Sequence, residues 1–423
     1  MRRVAVTGLG VVSPMGRGRE AFFGALGRGQ GGLRPISRFA TQGLQARWAG
    51  EVPGTAKMIG DLSEAFASLP VPGDVPIDGI LGKDIKIAFA LAAAAEALAD
   101  AGVGGLDRDS MIHLGVSLET FSLGSVGPVK GLGRPQIERL MAKASLRTPL
   151  DRALALIEAR HGRAGLALTN CSACAAGLQA LGQAYRSVAS GRFGLALAGA
   201  YDSLINPLGL GGFQLLGALA GGDPEPPWPL CRPFDAERRG LVMGEGAALM
   251  VLEPLDRARA QGRPAYGEIV GYGASLDAFS LSAPDATGSG AKRAMAMALE
   301  QASLAPEAVD HLSAHGTGTL LNDPIEARAI RELFPHWPDM PVTAVKSLTG
   351  HAIAASGALE AAACLFTLSR GLIPPNMGLD RVGQDCELDH VVGRARPFSG
   401  SVVLTNSFGF GGQNASIIFR GID

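Results

Sequence analysis

Three side chains in this sequence have the types and local settings for nucleophilic chemistry: Cys174, His315 and His351. Cys174 closes the run Cys171-Ser-Ala-Cys174, between the strand-like Gly165-Leu-Ala-Leu-Thr-Asn170 and a long helical pattern that ends near Gly191. A thiol at such a junction faces the positive end of the helix dipole and free amide N–H groups, which lowers its pKa from about 8.5 towards neutrality and makes a thiolate nucleophile. Taken alone, a cysteine is more often a buried structural residue. The C-x-x-C spacing is also that of a redox dithiol or of half a zinc site. No second Cys pair or His pair at metal-ligand spacing follows, however, and Cys171 is expected at the strand end, facing away from its neighbour.

The histidines add to the case. His315-Gly316-Thr317-Gly318-Thr319 follows a strand and sets two glycines and two hydroxyls beside an imidazole, as in a loop where a ligand touches the backbone. His351 closes Lys346-Ser-Leu-Thr-Gly-His351 in the same strand-to-helix setting and brings a lysine with it. A shared fold can gather strand ends at one pocket, so one Cys and two His of this kind form a nucleophilic constellation. Near the end, Asn406-Ser-Phe-Gly-Phe-Gly-Gly-Gln-Asn414 places three glycines around two aromatics. A tight turn accounts for it, and glycine-freed N–H groups are also what an oxyanion hole needs.

The elements that must position these residues are short Val/Leu/Ala strands alternating with alanine-rich helices, which predicts an α/β fold of sheets covered by helices. One such helix lies in Ile87–Gly102, and the first strand is expected in Val4–Val12. No charged residue occurs from Cys171 until Arg186, so the helix after Cys174 is expected to be buried on most sides. The closing strand of the first half is Ala247–Leu252, and the chain divides near there into halves 1–250 and 251–423, with no plain repeat between them. Strands at Asp310–His315, Val342–Val345 and Val402–Thr405 and a helix from Pro324 organise the second half. A turn-rich stretch, Gly221–Pro229, interrupts the middle.

With 423 residues, 47% of them hydrophobic, the chain is long enough for two domain-sized halves. A formal net charge of −1 argues against nucleic acid as the main partner. Five unevenly spread cysteines do not form a disulfide framework, so a reducing cytoplasm is expected. The N-terminal apolar run holds two glycines and ends in Ser-Pro, which suits a buried strand better than a signal peptide, and no stretch suits a bilayer span.

Taken together and in order, these motifs resemble those of β-ketoacyl-[acyl-carrier-protein] synthases, most closely the type II elongating enzymes of the thiolase fold. The resemblance rests on Val6-Thr-Gly-Leu-Gly-Val-Val-Ser-Pro14, Ser-Ala-Cys174-Ala-Ala-Gly, Arg232-Pro-Phe-Asp235, Gly244-Glu-Gly-Ala247, His315-Gly-Thr-Gly-Thr, Lys346…Gly-His351 and Phe408-Gly-Phe-Gly-Gly412. It implies two related βαβαβαββ halves in a five-layer α-β-α-β-α sandwich. Cys174 then accepts the acyl group from the carrier's phosphopantetheine arm, with an oxyanion hole from the amides of Cys174 and Phe410. Neutral His315 and His351 assist decarboxylation of the malonyl thioester, Lys346 holds the charge pattern with Glu360 as partner, and Glu326 supports it. Thr317 and Thr319 line the pantetheine channel, while Phe408 and Phe410 gate it. The resemblance implies no metal or organic cofactor, an acyl carrier protein as partner, and a homodimer or a heterodimer with a ketosynthase-like subunit.

Two positions depart from the family pattern, and the second leaves the substrate open between fatty acid and polyketide or polyene pathways. Asn322 stands where the family has a glycine, and Arg134–Ala144 replaces a segment that shapes the acyl pocket and dimer interface. A non-catalytic chain-length subunit would usually lack the nucleophile, and a thiolase would carry a second cysteine near the last glycine-rich motif. Lys83 and Lys86, at a helix start, are expected to form a docking patch for an acidic carrier.

Overall fold

The structure, a computed structural model, describes residues 1–69, 76–118, 150–222 and 230–422. The segment Arg134–Ala144 and most of the turn-rich Gly221–Pro229 lie outside the described residues.

The first half contributes β1 (Val4–Ser13), α1 (Ile85–Asp100), β2 (Ser110–Gly115), α2 (Arg152–His161), β3 (Leu166–Asn170), α3 (Ala176–Ala189), β4 (Leu195–Ser203) and β5 (Glu245–Pro254). The second repeats the order with β6 (Gly267–Leu276), α4 (Ser289–Ala302), β7 (His311–Ser313), α5 (Asn322–Leu333), β8 (Pro341–Thr343), α6 (Ala354–Arg370), β9 (Val402–Gly409) and β10 (Gln413–Arg420). Pairing repeats as well. In both halves the first strand runs antiparallel to the last, the last runs antiparallel to the one before it, and the remaining two pair parallel. This is βαβαβαββ twice, as the resemblance implies. The two sheets join where Val4–Val6 of β1 pairs with Gly267–Ile269 of β6. A division at residue 250 cuts β5; the chain crosses between halves at 255–266.

Three apolar cores account for five layers. One fills the space between α1, α2 and the first sheet, another that between the second sheet and α4 and α5, and the largest surrounds α3 and α6 between the sheets. The middle layer explains the alanine-rich composition. A Cβ on Gly177 would lie 2.9 Å from the carbonyl oxygen of Ala354, so α3 and α6 approach at backbone distance and only small residues fit. Strand ends of both sheets and the N-termini of both central helices therefore meet at one place.

Lys86 corrects the expectation of a carrier patch. Instead of projecting into solvent it is 2% exposed, paired with Asp84 at 3.1 Å and donating to the carbonyl oxygen of Leu118 at 2.7 Å. Lys83 alone remains exposed there.

Burial also makes the fold acid-sensitive. Desolvation pushes the pKa of His113 in β2 down to about 4 and that of His311 in β7 down to about 3, and neither ring nitrogen of His311 has a hydrogen-bond partner. Such a group favours the fold while neutral. Its contribution is whole above the unfolded value of 6.5 and is lost as pH falls towards the folded one. Between pH 6.5 and 4 each of the two removes about 3 kcal/mol. Asp202 and Glu360, pushed up by burial to about 6 and about 8, act in the opposite sense. His315 and His351 are displaced downward too, so the histidines prevail. Denaturant midpoints are expected to fall steadily from about pH 7 to about pH 4.5; a level or rising midpoint would contradict this account.

Candidate active site

Cys174 sits in a single 3-10 turn, Ala173–Ala175, that leads into α3, immediately after β3. Ala173 has φ +49°, a left-handed conformation that a non-glycine residue adopts under strain, and it turns the chain sharply between strand and helix. The thiol is 2% exposed and accepts a hydrogen bond from the Phe410 amide. Burial pushes its pKa up to about 11, with Lys346 and the Phe410 N–H opposing. The expected shift towards neutrality is thus reversed in sign, because desolvation of the thiolate outweighs the charges that favour it.

His315 follows β7, and His351 follows the one-turn helix Lys346–Thr349 after β8. Their rings stand 5.3 Å apart, nearly perpendicular, and the ligand atoms of Cys174, His315 and His351 all lie within 4.8 Å of one another. The three side chains that stand 177 positions apart in sequence at their extremes thus share one spot.

Partners set the protonation of both rings. The Ile353 N–H donates to His351 Nδ1 at 3.1 Å, with Ser356 Oγ at 2.9 Å from the same atom. An Nδ1 that accepts carries no proton, so neutral His351 is protonated at Nε2. Lys346 Nζ stands 2.9 Å from His315 Nδ1 and donates to the His315 carbonyl oxygen at 2.6 Å and to Glu360. Three ammonium protons meet three acceptors, and His315 too is left with its proton on Nε2. Burial first, then the charge of Lys346, holds both imidazoles well below their ordinary pKa. The cluster is close enough for a metal by distance, but an Nε2 that bears a proton offers a donor rather than a ligand lone pair.

Carboxylates fix the loops. Glu326 on α5 accepts the amides of His315 and Gly316, both at 2.8 Å, and Asp323 accepts those of Thr317, Gly318 and Phe234. Asp202, at the end of β4, was not singled out from the sequence. Its carboxylate accepts the Ala354 N–H at 3.1 Å, at the N-terminus of α6, and so secures the turn in which Ile353 holds φ +47°. An acid closing an otherwise apolar strand was the available signal.

The cluster opens on a cavity of about 310 Å³, lined also by Thr317, Thr319, Phe408 and Phe410. The two threonine hydroxyls are 2.9 Å apart. Phe408 packs edge-on against His315 at 5.9 Å, and Phe410 lies against Phe213 at 5.8 Å. Phe408 is the penultimate residue of β9, and at Gly409, which ends the strand, a Cβ would lie 3.0 Å from the Cys174 amide nitrogen. Asn322 lines the same cavity and directs its amide to Asp323 and Glu326, so it supports the loop. Cys171 is exposed while Cys174 is buried, and neither forms a disulfide.

The family model described as β-ketoacyl synthase, N-terminal domain, matches residues 1–258, and that described as β-ketoacyl synthase, C-terminal domain, matches residues 266–380. The chain is 35% identical over 430 residues to 3-oxoacyl-[acyl-carrier-protein] synthase 2 of Synechocystis sp. (strain ATCC 27184 / PCC 6803 / Kazusa), covering 99% of this chain and 98% of the relative. Among solved structures, the ishigamide ketosynthase/chain length factor superposes with a TM-score of 0.85 at 33% identity, over the whole of both chains. A type II polyketide synthase acyl-carrier protein in complex with its ketosynthase bound to the hexaketide gives 0.84 at 27% identity, again over the whole of both chains.

Proposed function

This chain belongs to the β-ketoacyl synthase family, and from that premise we propose that it condenses an acyl thioester with malonyl-[acyl-carrier-protein] by the residues just described. The observation that carries the proposal is the convergence of one thiol and two Nε2-protonated imidazoles on one cavity.

Cys174 attacks the acyl thioester, and its proton leaves with the carrier's thiol. The amides of Cys174 and Phe410 receive the oxyanion of the tetrahedral intermediate. Malonyl-carrier then binds, its thioester oxygen facing the Nε2–H groups of His315 and His351. Loss of carbon dioxide converts the malonyl unit to an enolate, whose negative oxygen those two donors stabilise in a site removed from water. The enolate carbon attacks the Cys174 thioester, Cys174 departs as thiolate and takes a proton from water, and a β-ketoacyl chain two carbons longer remains on the carrier. Carbon dioxide release drives the bond formation, so this sequence calls for no metal or organic cofactor. Thr317 and Thr319 offer hydroxyls to the pantetheine arm, and movement of Phe408 and Phe410 opens the acyl side. Lys346, Glu360 and Glu326 position the imidazoles.

The complete set of Cys174, His315 and His351 favours a catalytic subunit over a chain-length partner, and the Phe408–Gly412 loop carries no cysteine for a thiolase base. Among the described residues no helix is long and apolar enough to cross a membrane. A dimer, formed with itself or with a ketosynthase-like partner, and a cytoplasmic location beside the carrier pool complete the reading.

Intact-mass analysis tests it. Incubation with an acyl carrier thioester is expected to add one acyl group to the chain, and malonyl-carrier to remove it with release of carbon dioxide and the elongated product. A His351→Ala variant should still be acylated but release carbon dioxide about 10²–10³-fold more slowly. A chain that never gains the acyl group overturns the assignment; an equal loss of both steps in the variant overturns the role of His351.

A further inference from the structure

The cavity mouth has an unusual surface. Three segments surround it: the end of the helix Pro207–Leu215, the stretch 276–284 after β6, and the turn before α5; each supplies lining residues to the same cavity. Each also exposes large apolar side chains. Leu215 is 91% exposed, Leu281 87%, Phe279 65% and Leu320 64%, with Leu216 and Leu321 beside them. Six of the eight large apolar side chains that are more than half exposed among the described residues thus lie in these three segments, and such exposure beside one opening marks a surface that another molecule covers.

Charge at the mouth is sparse and one-sided. Apart from the neutral histidines, the titratable lining residues beside Cys174 are Arg239 and Asp277. Asp277 is occupied, accepting from the Asn414 side-chain amide at 2.7 Å and the Asp285 N–H at 3.1 Å. Arg239 is exposed and, among the described residues, has no ion-pair or hydrogen-bond partner. It precedes Gly240, whose N–H donates to the Gly318 carbonyl oxygen at 3.0 Å, which places the arginine beside the Thr317–Thr319 loop.

Resting on the reaction assigned above, we propose that the carrier is recognised by this apolar collar of Leu215, Phe279 and Leu281, with Arg239 taking the phosphodiester that joins the arm to the carrier. An arm that reaches Cys174 holds its carrier against the rim, and an unpaired guanidinium at that rim complements the one phosphodiester the arm presents. Docking of this kind depends on apolar contact and one charge-assisted contact, so it responds weakly to salt. The lysine pair expected from the sequence cannot supply it, since Lys86 is buried.

The test uses Cys174 acylation of the full chain, read by intact mass, from a hexanoyl acyl carrier protein, hexanoyl-phosphopantetheine, hexanoyl-pantetheine and a hexanoyl N-acetylcysteamine thioester. The combined variant Leu215→Asp, Phe279→Asp and Leu281→Asp is expected to raise the carrier concentration for half-maximal acylation at least about tenfold, with N-acetylcysteamine acylation within about twofold of the parent. Arg239→Ala should weaken acylation from the carrier and from phosphopantetheine, but not from pantetheine. Raising salt from about 0.05 M to about 0.5 M should change carrier-dependent acylation less than about threefold. The proposal is overturned if the collar variant accepts the acyl carrier like the parent, if it loses carrier and N-acetylcysteamine acylation equally, or if Lys83→Glu is what weakens docking. Failure of the parent chain to be acylated by any thioester would instead sink the reaction assignment.

Discussion

A Cys174→Ala variant is expected to lose condensation by at least about 10⁴-fold, the scale of removing a nucleophile from a site whose other parts act only through it. Nothing nearby substitutes. Cys171 is exposed, and the remaining cysteines are buried. The imidazoles keep their partners in this variant, because Lys346 and Ile353 hold them independently of the thiol. Carbon dioxide release from malonyl-carrier should therefore persist while the acyl adduct disappears. Loss of one buried sulfur is expected to cost only about 1 kcal/mol, so the fold survives. A variant that still condenses, or one whose decarboxylation vanishes along with acylation while the fold is intact, would contradict the division of labour between the thiol and the two rings.

That division was partly legible in the sequence, and the reasons differ from residue to residue. Cys174, His315 and His351 each stand in a short run whose glycines and neighbours announce a strand end, so local composition sufficed. Their supporting contacts are long-range: Lys346 lies 31 positions from His315, and Asp202 lies 152 from Ala354. No local pattern encodes such pairs. Lys86 misled because a charged residue in the first turn of a helix is normally solvated, whereas α1 is packed on its outer side by the helices Thr55–Phe66 and Ile77–Lys83 as well as on its sheet side. The thiol misled for a different reason: position along the chain gives the direction of a helix dipole, but the opposing desolvation depends on how completely the surrounding layers close. The internal two-fold repeat was hidden because it survives in strand order and pairing rather than in residue identity.

Lys346→Met is expected to damage stability and catalysis together, and a second substitution separates them. Lys346 and Glu360 are each 1% exposed, and the ammonium serves Glu360, the His315 carbonyl oxygen and His315 Nδ1 at once. Removing one member of a buried pair leaves the other uncompensated, which costs about 3–5 kcal/mol. Glu360 is already pushed up to about 8 by burial, with Lys346 as the main opposing influence, so without the lysine it binds a proton more tightly still. Folding of the variant is then accompanied by proton uptake near neutrality, and its stability should rise as pH falls from about 8 towards about 6, more steeply than in the parent chain. Adding Glu360→Gln removes the buried carboxyl and should restore most of the lost stability. It does not restore the donor to His315 Nδ1. The ring is then free to carry its proton on Nδ1, leaving Nε2 bare towards the cavity, and carbon dioxide release should stay depressed about 10²-fold in the double variant. Recovery of decarboxylation along with stability would show that Lys346 acts by filling space and balancing charge alone, and that the protonation of His315 is set by something other than this lysine.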